Sequence, residues 1–258
     1  DTKRTEKMRY DPLSKRIINI IYPLVIYMAI GMAVLGVFPN AGLLANLIEK
    51  LCCVAIMTIL FYQDSKKIRW EGAPLTPITS IILIAIGICA CIGVNMFFEL
   101  TGLKTLRSDD AKQVSQALYS DSLWLQILAV GIVAPIAEEL LFRGILYRRM
   151  RTWLNVLPAS IIALVIFAAV HGNLLQALYA FLLGTLLIWA YEHFANLIAP
   201  ILLHISANLI SILASQSNLF GSFLQKYTAI ACIVGIFGTV IGIVYMMKMT
   251  CSQSKNCI

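Results

Sequence analysis

Charge is what this sequence lacks most. Only 13% of its 258 residues are Asp, Glu, Lys or Arg, about half of the ~25% that a soluble domain carries. That shortfall excludes an ordinary water-facing surface. Paired cysteine spacing is missing as well. Cys52, Cys53, Cys89, Cys91, Cys232, Cys251 and Cys257 contain no CxxC, and five of them lie inside apolar runs. Neither a disulfide framework nor a structural zinc site is supported, and the thiols read as small apolar fillers between helices. The net charge of +7 is spread between the apolar runs, not gathered in a patch with interleaved aromatics. No nucleic-acid partner is expected.

What is there is length of apolar run. Residues 17–38, 41–62, 78–98, 123–147, 156–171, 174–192, 197–214 and 227–249 are each rich in Leu, Ile, Val, Ala and Phe. A helix crossing a ~30 Å hydrocarbon core needs roughly 20 such residues. The expected fold class is therefore all-α: a polytopic membrane protein with about eight transmembrane helices around a polar intramembrane cavity. One transmembrane domain, 17–249, is expected between a basic segment, 1–16, and a short tail, 250–258. No small-residue cleavage site follows the first run, so it reads as a retained helix.

The basic residues set the expected orientation. Lys3, Arg4, Lys7, Arg9, Lys15 and Arg16, then Lys66, Lys67 and Arg69, then Arg148, Arg149 and Arg151, then Lys248 and Lys255 fall in alternate connections. Lys104, Arg107, Lys112 and Lys226 fall in the others, the first three among Glu99, Asp109, Asp110 and Asp121. The bias predicts both termini in the cytoplasm. The loop 99–122 is expected to hold a surface helix, and Pro39-Asn40 and Gly172-Asn173 to form tight turns. Cys257 lies too close to the end for a prenylation box.

A charge near the bilayer centre costs several kcal/mol and marks a functional site by default. The fourth run carries three, Glu138, Glu139 and Arg143. Glu139 and Arg143 are four apart and share a helix face; Glu138 is turned by about 100°. A carboxylate in an apolar surrounding suits a general base. Pro135 frees a backbone carbonyl one turn earlier. His171 closes the fifth run, and His204 and Asn208, again four apart, share a face of the seventh. Taken singly these have bland readings: Glu139 with Arg143 a structural ion pair, Asn208 interhelical glue. Glu49 and Lys50 read as snorkelling side chains, and His193 beside Glu192 as a hydrogen-bonded surface histidine. The set together fits one hydrolytic constellation.

The order Glu-Glu-x-x-x-Arg, Phe-x-x-x-His, His-x-x-x-Asn on successive apolar helices resembles the CAAX protease and bacteriocin-processing (CPBP, Abi) family. These are glutamate-dependent intramembrane endopeptidases related to the type II CAAX prenyl endopeptidases. The resemblance covers roughly residues 120–215. It implies that Glu138 is the general base and that His171 shares in activating water. It gives His204 and Asn208 to the oxyanion, Glu139 and Arg143 to an ion pair that positions the site, and Phe167 to packing beside it. It further implies a peptide or protein substrate, lipidated or carrying a leader, and a bacterial plasma membrane in preference to the endoplasmic reticulum.

A metal is left open. Glu139, His171 and His204 would make a zinc site with a free position for water, yet HExxH is absent, and a metal-free glutamate mechanism is also argued for the family. Two other functions compete: a non-catalytic scaffold or immunity protein using the same cavity, and a small proton-coupled transporter. Depth raises a difficulty. At about 1.5 Å per residue, straight helices put Glu138 roughly 13 Å, His204 roughly 10 Å and His171 roughly 22 Å from the inner surface. The three can meet only if a helix is short, tilted or broken, and Gly172 would permit a break.

Overall fold

Each apolar run becomes a helix in the computed structural model, which describes residues 12–68, 70–103 and 121–253. The basic stretch before Pro12, Arg69, the stretch 104–120 where a surface helix was expected, and the tail from Ser254 with Lys255 and Cys257 lie outside the described residues. In chain order the helices are α1 (Leu13–Val37), α2 (Gly42–Ser65), α3 (Pro77–Leu100), α4 (Leu123–Met150), α5 (Val156–Ala169), α6 (Leu174–Phe194), α7 (Ile198–Gln216), α8 (Asn218–Lys226) and α9 (Thr228–Gln253). The described residues contain no strand.

Local chemistry sets the ends. Thr76 Oγ1 accepts from Thr79 N at 3.2 Å and Thr79 Oγ1 accepts from Thr76 N at 2.7 Å. With Pro77 in the first turn, this capping box starts α3. Asn173 Oδ1 accepts from Gln176 N at 2.9 Å and starts α6. Among the described residues, seven helices are long and apolar enough to cross a bilayer. The expected eighth, 156–171, is corrected. It ends at Ala169 after 14 residues, about 21 Å of helix, because the chain turns at Gly172 with φ +75°. The apolar composition continues through Val170, so hydropathy alone could not see the stop. The nine-residue α8 falls in what the sequence presents as a loop.

The helix α4 is not uniform. Ile127–Val133 and Leu140–Tyr147 are wound with π-type hydrogen bonds on either side of an α-helical Ala134–Glu139. Ala134 N donates to Ala129 O, five residues back. The next donor in that register would be residue 135, bonding Val130 O, and Pro135 has no N–H. Local π winding of this kind is frequent at functional sites.

One end of the bundle is tied by arginines. Arg149 Nε bonds Asp64 Oδ2 at 2.6 Å and its Nη2 bonds Tyr22 OH at 2.8 Å, joining α1, α2 and α4. Arg151 Nε bonds Glu192 Oε1 at 2.7 Å, joining α4 to α6. At the other end Leu43 and Leu47 of α2 pack on Ala129 and Val133, so α2 and α4 run parallel. On the far side, α3 packs closely on α7 and α9. A Cβ on Gly87 would collide with Leu203 O and Ser206 Oγ, and one on Gly93 would meet Ile236 N at 2.9 Å. Small residues allow such close approach of apolar helices.

Candidate active site

The charged residues of α4 sort into a closed pair and an open one. Glu139 has no exposed surface and Arg143 has 1%. Arg143 Nη1 donates to Glu139 Oε1 at 2.8 Å and Nη2 donates to Gly184 O at 3.4 Å. The guanidinium lies 4.3 Å from the Phe167 ring centroid. Breaking such a pair would leave a bare buried charge, a cost of about 3–5 kcal/mol. Gly184 of α6 makes the space: a Cβ there would stand 3.1 Å from Arg143 Nη2 and 2.7 Å from Leu164 Cδ2. The sequence reading missed this glycine; its only signal is a glycine inside an apolar helix.

Across from that pair stands His204 of α7, with Nδ1 2.8 Å from Glu139 Oε1. Against Arg143 the Glu139 carboxylate is ionised and can only accept, so the imidazole proton sits on Nδ1. This orients the ring and turns Nε2 toward Glu138, whose Oε2 lies 3.9 Å away. Glu138 keeps 21% of its side-chain surface accessible. It has no arginine or lysine partner among the described residues. Thus Glu139 holds His204 in place, and Glu138 and the free His204 nitrogen face one another at 3.9 Å, a separation of the size one bridging water requires. Glu139 Oε2 is buried and has no hydrogen-bond partner among the described residues.

The second histidine arrives by the break in α5. His171 lies just beyond the helix, and its Nδ1 donates to Phe167 O at 2.7 Å, which again leaves Nε2 as the open nitrogen. Phe167, 2% exposed, presents edges to both histidines, with centroids 4.8 Å from His171 and 6.3 Å from His204. It also packs on Phe142 at 4.8 Å. Phe167, in the last turn of α5, thus bridges the two histidines that straight helices would set at different depths.

Asn208, one turn after His204 on α7, is turned toward α4. Its Nδ2 donates to Val130 O at 2.9 Å, the carbonyl that Pro135 leaves without a donor. One amide proton is therefore committed to the backbone and one remains. The structure thus brings Glu138, Glu139, Arg143, Phe167 and His204 into direct contact. It sets His171 beside them through Phe167, and ties Asn208 to the same stretch of α4. Among the described residues no three His, Cys, Asp or Glu side chains converge to hold a metal ion. The set Glu139, His171 and His204 is not gathered on a common point, and Glu139 Oε1 and His204 Nδ1 are spent on each other.

The residues just described lie in the segment that known proteins share. Residues 120–210 match the family model of the Rce1-like type II CAAX prenyl endopeptidases. The resemblance drawn from the three motifs holds over this segment, which contains every site residue named above. A protein of Bacillus subtilis (strain 168), named as a candidate membrane peptidase, YdiL, is 28% identical over 111 residues, 43% of this chain and 46% of the relative. An Escherichia coli protein of 24.3 kDa, named as uncharacterized, is 37% identical over 98 residues, 34% of this chain and 43% of the relative. The match spans less than half the length of either relative. No solved structure matches the chain significantly.

Proposed function

We propose that this chain is an integral membrane endopeptidase that hydrolyses a peptide bond at membrane depth, with Glu138 activating the attacking water. The observation that carries the reading is the asymmetry of the two glutamates. Glu139 is sealed against Arg143 and His204, whereas Glu138 is partly accessible and, among the described residues, has only the free His204 nitrogen, 3.9 Å away, within ion-pair distance. An unpaired carboxylate opposite an oriented imidazole is what water activation needs.

In this reading the water bound between Glu138 and His204 loses a proton to Glu138 as its oxygen adds to the substrate carbonyl. The developing oxyanion takes a hydrogen bond from the remaining Asn208 amide proton, the task the resemblance gives to Asn208 with His204. Collapse breaks the C–N bond, and the proton passes from Glu138 to the leaving amine. His171, packed against Phe167 as His204 is, takes the share in activating the water that the resemblance gives it. No step is routed through a metal.

The substrate is proposed as a peptide, lipidated or carrying a leader, by analogy with the family. Arg149 bonded to Asp64, Asn19 O and Tyr22, with Arg148 on Ile68 O and Arg151 on Glu192, all at one end of the bundle, supports that end, and both termini, as cytoplasmic. A bacterial plasma membrane is the proposed location.

The test is cleavage of a panel of lipidated and leader-type peptides by purified protein, wild type beside Glu138→Ala, with and without chelator. Cleavage by wild type that Glu138→Ala abolishes supports the peptidase. Activity that survives the chelator supports the metal-free mechanism; activity that chelation removes and zinc restores rejects it. If both chains are inert while a peptide still binds, the scaffold function replaces the enzyme.

A further inference from the structure

The matched segment begins at residue 120, yet a second set of polar side chains at membrane depth comes from α1 and α2. Lys50 lies eight residues into α2, roughly 12 Å from its start, too deep for its charge to be idle. Its ammonium donates to Tyr27 OH at 2.9 Å and to Glu49 Oε1 at 2.8 Å, and lies 4.7 Å from the Tyr27 ring centroid. The expected snorkelling is thus replaced by a three-residue hydrogen-bonded group. The helix positions are built for it. Leu43, Leu47, Lys50 and Val54 share one face of α2, and its apolar members pack on Ala129, Val130 and Val133 of α4. Ile20, Leu24 and Tyr27 likewise form the face of α1 turned to the core. Gly31, next along that face, lies against Glu49, whose carboxylate oxygen would stand in van der Waals contact, 3.4 Å, with a Cβ placed there.

This group is next to the proposed site. Lys50 stands between Leu47 and Val54, which cluster with Ala129, Val130 and Val133 of α4, about a turn and a half before Glu138, and this places Tyr27 and Lys50 within electrostatic range of the Glu138 carboxylate. Lys50 and Glu49 keep 13% and 16% of their side-chain surface accessible, and charged atoms at that depth need water or substrate against them. Glu49 is matched by Lys50 and Glu139 by Arg143, so among the described residues Glu138 is the carboxylate of this region that meets no lysine or arginine within ion-pair distance, only His204 at 3.9 Å. The Tyr27 oxygen accepts from the ammonium, which leaves the phenolic proton to donate elsewhere. An ammonium hydrogen-bonded to the oxygen polarises that O–H and makes it a stronger donor.

Amide hydrolysis at Glu138 needs preorganised donors where the oxyanion develops, and the matched segment supplies few. His204 Nδ1 is spent on Glu139 and half of the Asn208 amide on Val130 O. We propose that the Tyr27 hydroxyl donates to the scissile carbonyl oxygen of a substrate held at Glu138, and that Lys50 is the residue that positions and polarises it. Tyr27 is then a catalytic residue supplied by α1, outside the matched segment, and Lys50 acts through it. As water adds to the carbonyl carbon, negative charge gathers on that oxygen, and the Tyr27 hydrogen bond shortens without losing its proton. The inference rests on the peptidase reading and deepens it.

Tyr27→Phe removes one oxygen and keeps the ring. On the peptide that the wild type cleaves, kcat is expected to fall at least tenfold, toward the ~10²-fold loss typical of an oxyanion donor, with KM within about twofold. Lys50→Met is expected to lower kcat as well, and Lys50→Arg to recover part of it, with thermal unfolding in detergent confirming that each variant is folded. Should Tyr27→Phe fail to fold, the Lys50 pair carries the same test. Cleavage that needs Glu138 but proceeds at the wild-type rate in Tyr27→Phe overturns the proposal and leaves the peptidase standing. A change in KM alone overturns it too, because the bond would then be made to the bound substrate and not to the developing oxyanion. A wild type that cleaves nothing overturns the peptidase reading, and this proposal with it.

Discussion

His204 Nδ1 and Arg143 Nη1 meet on the same oxygen, each 2.8 Å from Glu139 Oε1. One buried carboxylate therefore fixes a charge from its own helix and an imidazole from another. The adjacent Glu138 is left with His204 Nε2 at 3.9 Å and no other close ionic partner among the described residues.

The two adjacent glutamates are expected to separate stability from chemistry. Glu138→Gln should keep the thermal unfolding midpoint in detergent within about 2 °C and lower cleavage at least ~10²-fold, the usual worth of a general base. Glu139→Ala strands Arg143 without a counter-charge and should destabilise by about 3–5 kcal/mol. Equal unfolding midpoints for the two variants would contradict the division of roles.

Gly184→Ala tests the site from a residue with no chemistry. The added methyl meets Leu164 Cδ2 at 2.7 Å and Arg143 Nη2 at 3.1 Å. Overpacking of this kind costs about 1–3 kcal/mol. Unfolding and cleavage measured on the same preparation should both be impaired, and wild-type behaviour in both would show that the helices simply part.

Pro135 and Asn208 are expected to be coupled. Asn208→Ala leaves the half-buried Val130 O without its side-chain donor, a loss of about 1 kcal/mol. Pro135→Ala returns a backbone N–H that can bond the same carbonyl. A double-mutant cycle on unfolding free energy should therefore give a coupling of at least ~0.5 kcal/mol. Strict additivity would mean that the two residues do not serve one carbonyl.

Gly172 holds φ +75°, and nothing lies within 4 Å of where a Cβ would stand. Steric crowding is therefore no objection to a side chain; backbone conformation is. Gly172→Val should lower stability and cleavage more than Gly172→Asn, since Asn tolerates the left-handed region. The reverse order would show that the turn is not what ends α5 and places His171.

Membrane class, the count of apolar runs and the three polar motifs could all be read from the chain. Hydropathy over ~20 residues and the four-residue period of a helix face are local properties. The pairing of Glu139 with Arg143 came from that period alone, and so did the shared face of His204 and Asn208. Other features escaped it. The early end of α5 depends on one backbone angle inside an unbroken apolar stretch. The short α8 carries no long apolar run. Lys50 passed for a snorkelling residue because its partner, Tyr27, is 23 residues away on another helix.

What the sequence determined by itself was which groups would be costly in a bilayer, and hence that they must serve a purpose. Tertiary structure decided how they are shared out. Glu139 closes on Arg143 and His204, Asn208 takes the carbonyl that Pro135 abandons, and Glu138 is left open. The physical reason is that a buried charge or a stranded carbonyl must find a partner, and which partner it finds depends on how neighbouring helices are set against one another. Sequence spacing carries no record of that setting.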